Sequence, residues 1–230
     1  CNTGAEALLL SDIEDVRAVL GDEALITVPT LDRNNLCRYL EEGPTLKIES
    51  IPTLYFGAID RLVSSHDLIM LVEGSTYMDT WGSALLWAFL WATHRAHARG
   101  RPTLAYAVDA GSLSAFNRRL VRRVAGKTDL IVTRSPRAAD RLASYGVGAP
   151  IEVTADNAFT FRTDPADRGW VERAWPQAGH GVVGFSVVDF NLWPVVMRPW
   201  GRREECYKWP YYFSRSEDRR RASEALAAGY

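Results

Sequence analysis

The sequence predicts a doubly wound α/β fold with a mostly parallel sheet, and three observations carry that prediction. Short β-branched or aliphatic runs alternate with helical patterns through most of the chain. Each interval between runs is long enough for a helical crossover, the signature of βαβ units. The runs are also apolar on both faces, as expected of strands covered by helices above and below.

In chain order, strands are expected at residues 24–28, 45–51, 67–72, 103–108, 129–133 and 151–154. Helices are expected at 5–20, 32–42, 54–65, 82–99, 113–125 and 136–145. Because parallel crossovers are almost always right-handed, this order winds into a Rossmann-like sheet with its ligand crevice at the carboxyl ends of the strands. The pattern restarts after a helical stretch at 166–174 and a Pro-Gln-Ala-Gly-His-Gly turn at 176–181. Residues 1–165 therefore read as one domain, 166–180 as a linker, and 181–230 as the start of a second α/β domain opening with a strand at 181–188. Residues 189–212 are rich in Trp, Pro and Tyr without clear period, as in a long loop over a cleft.

Composition narrows the class. The 230 residues are 47% hydrophobic and 24% charged, ordinary for a globular protein. A formal net charge of −1 provides no global field to recruit nucleic acid or an anionic membrane. Three scattered cysteines (Cys1, Cys37, Cys206) form no CxxC pair and fit a reducing, cytoplasmic compartment. No signal-peptide pattern opens the chain. Its most apolar run, 84–92, is too short for a bilayer span, which takes about 20 residues. A start at Cys1 and an end within a helical-looking stretch at 216–228 read as both ends of a longer protein being cut.

Polar groups at predicted strand ends are the candidate site. Asn2-Thr3-Gly4-Ala5-Glu6 opens the first helix, with Thr3 and Glu6 spaced as a capping box. That helix start is either simply a cap or a set of free N–H groups facing a ligand. Gly74 follows the third strand and suits a sharp turn or a close backbone approach, with Asp79 just beyond. Gly111-Ser112 is an equivalent turn after the fourth strand, where Asp109 reads as a cap or a ligand contact. Arg134 directly follows the fifth strand and should emerge at the carboxyl edge. There it either grips a carboxylate or phosphate or forms an ion pair with Asp140 or Asp156. Asp156 follows the sixth strand as a turn cap or acceptor contact, and Phe159 reads as core.

Other clusters read as structure. His94 and His97 lack the further ligands a metal needs, so no metal site is expected. The basic strips Arg118, Arg119, Arg122, Arg123 and Arg219–Arg221 read as solvated faces rather than a nucleic-acid surface. No GxSxG, Walker A, HExxH or GxGxxG motif occurs.

Taken in order, these pieces resemble the polysaccharide pyruvyl transferase family over residues 2 to about 161. Asn-Thr-Gly-Ala-Glu-Ala at 2–7 is similar to that family's Asn-x-Gly-Asp-Glu opening. The stretch 67–79 resembles its glycine turn, and 98–112 its Gly-Lys-Pro and Gly-x-Ser segment. Residues 130–135, Leu142, Gly146-Val147 and 154–159 resemble its Val-Arg-Asp … Leu … Gly-Val … Asp-Pro-Ala run. Departures include Ala5 for Asp, Glu73 for Gly, a segment at Leu113 without the usual proline, Ser135 for Asp and Asn157 for Pro.

The resemblance implies a GT-B-like two-domain fold with the active site in the inter-domain cleft. It implies transfer of a pyruvyl group from phosphoenolpyruvate to a sugar or glycan-lipid acceptor, in polysaccharide (exopolysaccharide) or cell-surface glycan modification, with no cofactor. Arg134 is then the donor clamp. Asn2, Thr3, Gly4, Glu6, Gly74, Asp79, Gly111, Ser112 and Asp156 are the substrate-binding set. The proton-transfer histidine and further basic groups would come from the second domain, so this stretch alone is expected to be inactive. A GT-B-type glycosyltransferase using a nucleotide sugar, or a non-catalytic sugar-binding module, is compatible with the same architecture.

Overall fold

The structure is a computed structural model that describes residues 3–80, 82–162 and 169–178 and the single positions 221, 224, 225 and 228. The elements run α1 (Thr3–Leu20), β1 (Ile26–Thr30), α2 (Arg33–Leu36), β2 (Leu46–Ser50), α3 (Phe56–Ser65), β3 (Ile69–Leu71), α4 (Ser83–Ala98), β4 (Thr103–Val108), α5 (Ala115–Val124), β5 (Leu130–Thr133), α6 (Pro136–Ser144), β6 (Ile151–Val153) and α7 (Trp170–Ala174). The alternation of strand and helix is therefore the one the sequence predicts. All strand pairs are parallel, consistent with a Rossmann-like α/β fold. The predicted strand at 181–188 and the aromatic loop at 189–212 lie outside the described residues.

Two expectations need correction. The strands form a two-stranded sheet, β1-β2, and a four-stranded sheet, β3-β4-β5-β6, rather than one hydrogen-bonded sheet. The helix expected at 32–42 is a single turn, α2, followed by a looser turn. Asp32 caps it through the Asn35 N–H, and Asn34 and Asn35 are poor helix formers that compete for backbone hydrogen bonds. The Gly43-Pro44 turn ahead of β2 then ends the segment.

The two sheets have separate cores. Ile13, Leu36, Leu40, Leu46 and Ile48 pack around β1-β2. The larger core joins Leu71, Ala105, Val108 and Ile131 of the four-stranded sheet to Val63 of α3, Leu86 and Leu90 of α4, Val121 of α5 and Leu142 of α6. Along β4, Thr103, Ala105 and Ala107 are buried while Leu104 and Tyr106 are half-buried. At β4, one face is thus fully covered and the other only partly. α1 contributes to the second face, where the Tyr106 phenol donates to the Asp15 carboxylate at 2.9 Å. Burial, then that carboxylate, pushes the phenol up to about 12.

Loops beyond the strands carry the pairing onward. Tyr77 and Ala110 form a parallel bridge after β3 and β4. The Asp109 N–H donates to the Gly74 carbonyl, Tyr77 N–H to Asp109, Gly111 N–H to Tyr77, and Asp79 N–H to Ser112. This zipper makes the carboxyl edge a rigid platform.

Candidate active site at the carboxyl edge

Arg134 emerges where β5 ends, its N–H bonded to the Val108 carbonyl of β4. Its guanidinium sits between two carboxylates from neighbouring strand ends. Nε and Nη2 donate to Asp109 Oδ2 at 3.2 and 2.9 Å, and Nη1 donates to Asp156 Oδ2 at 3.0 Å. All three side chains are 27–28% exposed, so the group is partly dehydrated yet reachable. Of the alternatives the sequence leaves open, the ion pair with Asp156 forms, and Asp109 joins it. With three of five guanidinium N–H bonds committed, two remain for another ligand.

Both predicted glycine turns are close approaches rather than left-handed turns, since neither glycine has positive φ. A Cβ on buried Gly74 would stand 2.8 Å from Arg134 Nη1. A Cβ on Gly111 would stand 2.6 Å from the Met78 Cβ. The Gly111 turn is further held from α6, by the Tyr145 hydroxyl on the Gly111 carbonyl at 2.8 Å and Arg141 on the Ala110 carbonyl at 3.2 Å.

Asp79 faces inward to α5. Its Oδ2 accepts from the Ser114 N–H and from the buried amide of Asn117, each at 2.8 Å. Burial alone would raise this carboxyl, but those donors hold it below its ordinary value. Its carboxylate is thus committed to fixing the start of α5. Ser112 is exposed, and its carbonyl accepts from the Asp79 N–H.

At the sixth strand, Asp156 caps the following turn through the Ala158 N–H at 3.0 Å while pairing with Arg134. Phe159, expected in the core, is 88% exposed. Asn157 takes the inward position instead, 6% exposed, and its amide donates to Asp12 of α1. The side chains of Asp12 and Asn157 each leave one buried oxygen, Oδ2 and Oδ1, without a partner among the described residues. Burial first, then the nearby carboxylates Asp15, Asp156 and Glu73, raise Asp12 to about 7 against the opposing Asn157 hydrogen bond. This acid was not legible as a site residue, because nothing near Asp12 in the chain distinguishes it from the other acids of α1.

No hydrogen bond or ion pair among the described residues joins the first-helix motif to Arg134, Asp109 or Asp156. Asn2 lies outside the described residues. Thr3 is the first described residue of α1. Gly4 is exposed, and Glu6 acts on Tyr39, beyond α2, adding to the burial that raises that phenol. α1 reaches the turn after β6 at Leu8, whose carbonyl accepts from the Asn157 amide at 3.5 Å, and at Asp12. Among the described residues no group of three or more His, Cys, Asp and Glu side chains could hold a metal ion, and no helix is long and apolar enough to cross a membrane.

The polysaccharide pyruvyl transferase family model matches residues 2–221. No curated protein and no solved structure matches the chain. A family match over nearly the whole length joins the α/β fold and the polar platform at its carboxyl edge: this chain belongs to the polysaccharide pyruvyl transferase family.

Proposed function

We propose that the protein transfers the pyruvyl group of phosphoenolpyruvate to two hydroxyls of a saccharide, giving a cyclic ketal and inorganic phosphate. One proton goes to the enol methylene, which becomes the methyl group and leaves cationic character on the carbon bearing carboxylate and phosphate. A saccharide hydroxyl attacks that carbon, phosphate departs, and the second hydroxyl closes the ring. The two hydroxyl protons balance the methyl group and the released phosphate.

The observation that carries this reading is the guanidinium of Arg134, held at the strand ends between Asp109 and Asp156. Its two remaining N–H groups suit the donor's carboxylate, and the flanking carboxylates are acceptors for incoming hydroxyls. One cation between two anions carries net negative charge, so it does not hold a dianionic phosphate alone. Further cations for that group belong, by family resemblance, to the second domain.

The test is ketal formation and phosphate release by the full chain carrying Arg134→Ala or Arg134→Lys. Both should lose transfer while the far-ultraviolet circular dichroism is retained, because lysine keeps the charge but not the fork. Turnover by Arg134→Ala at the unmodified rate would remove this residue from the chemistry. Binding of a nucleotide sugar in place of phosphoenolpyruvate would replace the reaction itself.

A further inference from the structure

A shallow groove of about 400 Å³ runs between α4 and α5 on the outside of the larger core. Trp87 and Trp91 of α4, Leu120 and Val124 of α5, and Phe56 of α3 line it. Both indole N–H groups are bonded within the protein: Trp87 donates to the Asn117 side chain and Trp91 to the Phe56 carbonyl, each at 2.9 Å. What they present outward is therefore apolar ring. Phe116 meets Trp87 edge-on at 6.4 Å, and Phe56 meets Trp91 edge-on at 5.5 Å, so each tryptophan of α4 carries a second ring beside it. Phe116 is 61% exposed.

The charge beside this strip has one sign. Arg123, Lys127 and His94 line the groove, and among the described residues no carboxylate does. Arg119 is exposed and lies three residues after Phe116 and four before Arg123, on the same side of α5. The four-arginine strip of α5 thus divides in two. Arg118 lies over the Tyr145 ring and Arg122 packs against Gly146, on the α6 side. Arg119 and Arg123 flank the aromatic strip. On the far side of Trp91, Asp60 is already paired with Arg95 and Arg99. The chain's net charge near zero hides this local positive field.

An apolar aromatic strip flanked by cations is the composition of a helix face that lies in a membrane interface. We infer that the α4–α5 face docks on a bilayer surface carrying anionic lipid. A neutral saccharide could stack on the rings and bond His94, but it brings no charge to complement Arg119, Arg123 and Lys127, as an anionic surface does. The aromatic segment 189–212 is more basic than acidic and does not complement the arginines. This surface requires no pyruvyl transfer, so it stands or falls separately from the proposed reaction.

The test is co-sedimentation of the full chain with vesicles of phosphatidylglycerol and phosphatidylcholine in equal parts, against vesicles of phosphatidylcholine alone. Wild type should pellet with the first and not the second. Arg119→Ala with Arg123→Ala should weaken partitioning about 30-fold, from the usual contribution of two cations near an anionic surface. Phe116→Ser should weaken it about 10-fold through lost ring burial. Arg137→Ala, an exposed arginine on α6, should leave it unchanged. No vesicle binding by wild type, equal binding to neutral vesicles, or an Arg137→Ala loss as large as the double variant's would overturn the inference. So would binding to soluble alginate, but not to vesicles, that depends on Arg119 and Arg123.

Discussion

Replacing Asp12 by asparagine should make the protein more stable at alkaline pH and no more stable in acid. Burial pushes the native carboxyl up to about 7 from an ordinary value of 3.8. A raised native value means that, between these two pH values, the folded state holds a proton that the unfolded state has released. Stability is therefore fully present below about pH 4, falls as pH rises toward 7, and levels off above it. The difference of about three units corresponds to on the order of 4 kcal/mol. The substituted amide cannot ionise. It can accept from the Asn157 amide as Asp12 does, and it can donate to Asn157 Oδ1, which lacks a partner among the described residues. Urea unfolding followed by tryptophan fluorescence, at several pH values from 4 to 8, measures both proteins. Their midpoints should coincide near pH 4 and separate progressively, with the variant ahead by a few kcal/mol at pH 8. Parallel curves across the range would refute the raised value. A variant less stable at pH 8 would show that the ionised carboxylate is favoured by its surroundings.

Two further outcomes follow from the platform. Gly74→Ala puts a methyl group 2.8 Å from Arg134 Nη1, at the end of a side chain that can yield. The expected result is a stability change below about 1 kcal/mol with pyruvyl transfer reduced about 100-fold, since small misplacements at a reacting centre cost that much. Steady-state kinetics beside thermal melting separates the two effects. Asn117→Ala removes the buried amide that joins Asp79, Ser83 and Trp87, so unfolding free energy should fall by about 2 kcal/mol or more. An unchanged urea midpoint would mean water replaces all three bonds.

How far the chain could be read ahead of its structure differs from element to element. The strand at 103–108 and the helices at 83–98 and 136–144 matched their patterns closely, because β4 and α4 are apolar runs of strand and helix length, α6 has a clear amphipathic period, and turns flank each. Arg134 was legible by position alone: a residue just past a parallel strand must lie at the carboxyl edge. Its partners were not. Asp109 and Asp156 are 25 and 22 residues away, and they meet Arg134 only because β4 and β6 flank β5 in the sheet.

Asp12 and Asn157 are separated by 145 residues, and no local pattern marks either. Phe159 misled because hydrophobicity gives a tendency to be buried, whereas the direction of the turn after β6 put Asn157 inward and the ring outward. By itself, then, the sequence determined the fold class, the family likeness and the edge on which polar groups collect, since these depend on periodicity and order along the chain. Only the tertiary structure decided which charges neutralise one another, which acid is dehydrated and which arginines of α5 flank the aromatic strip. Those outcomes depend on distances between segments far apart in the chain.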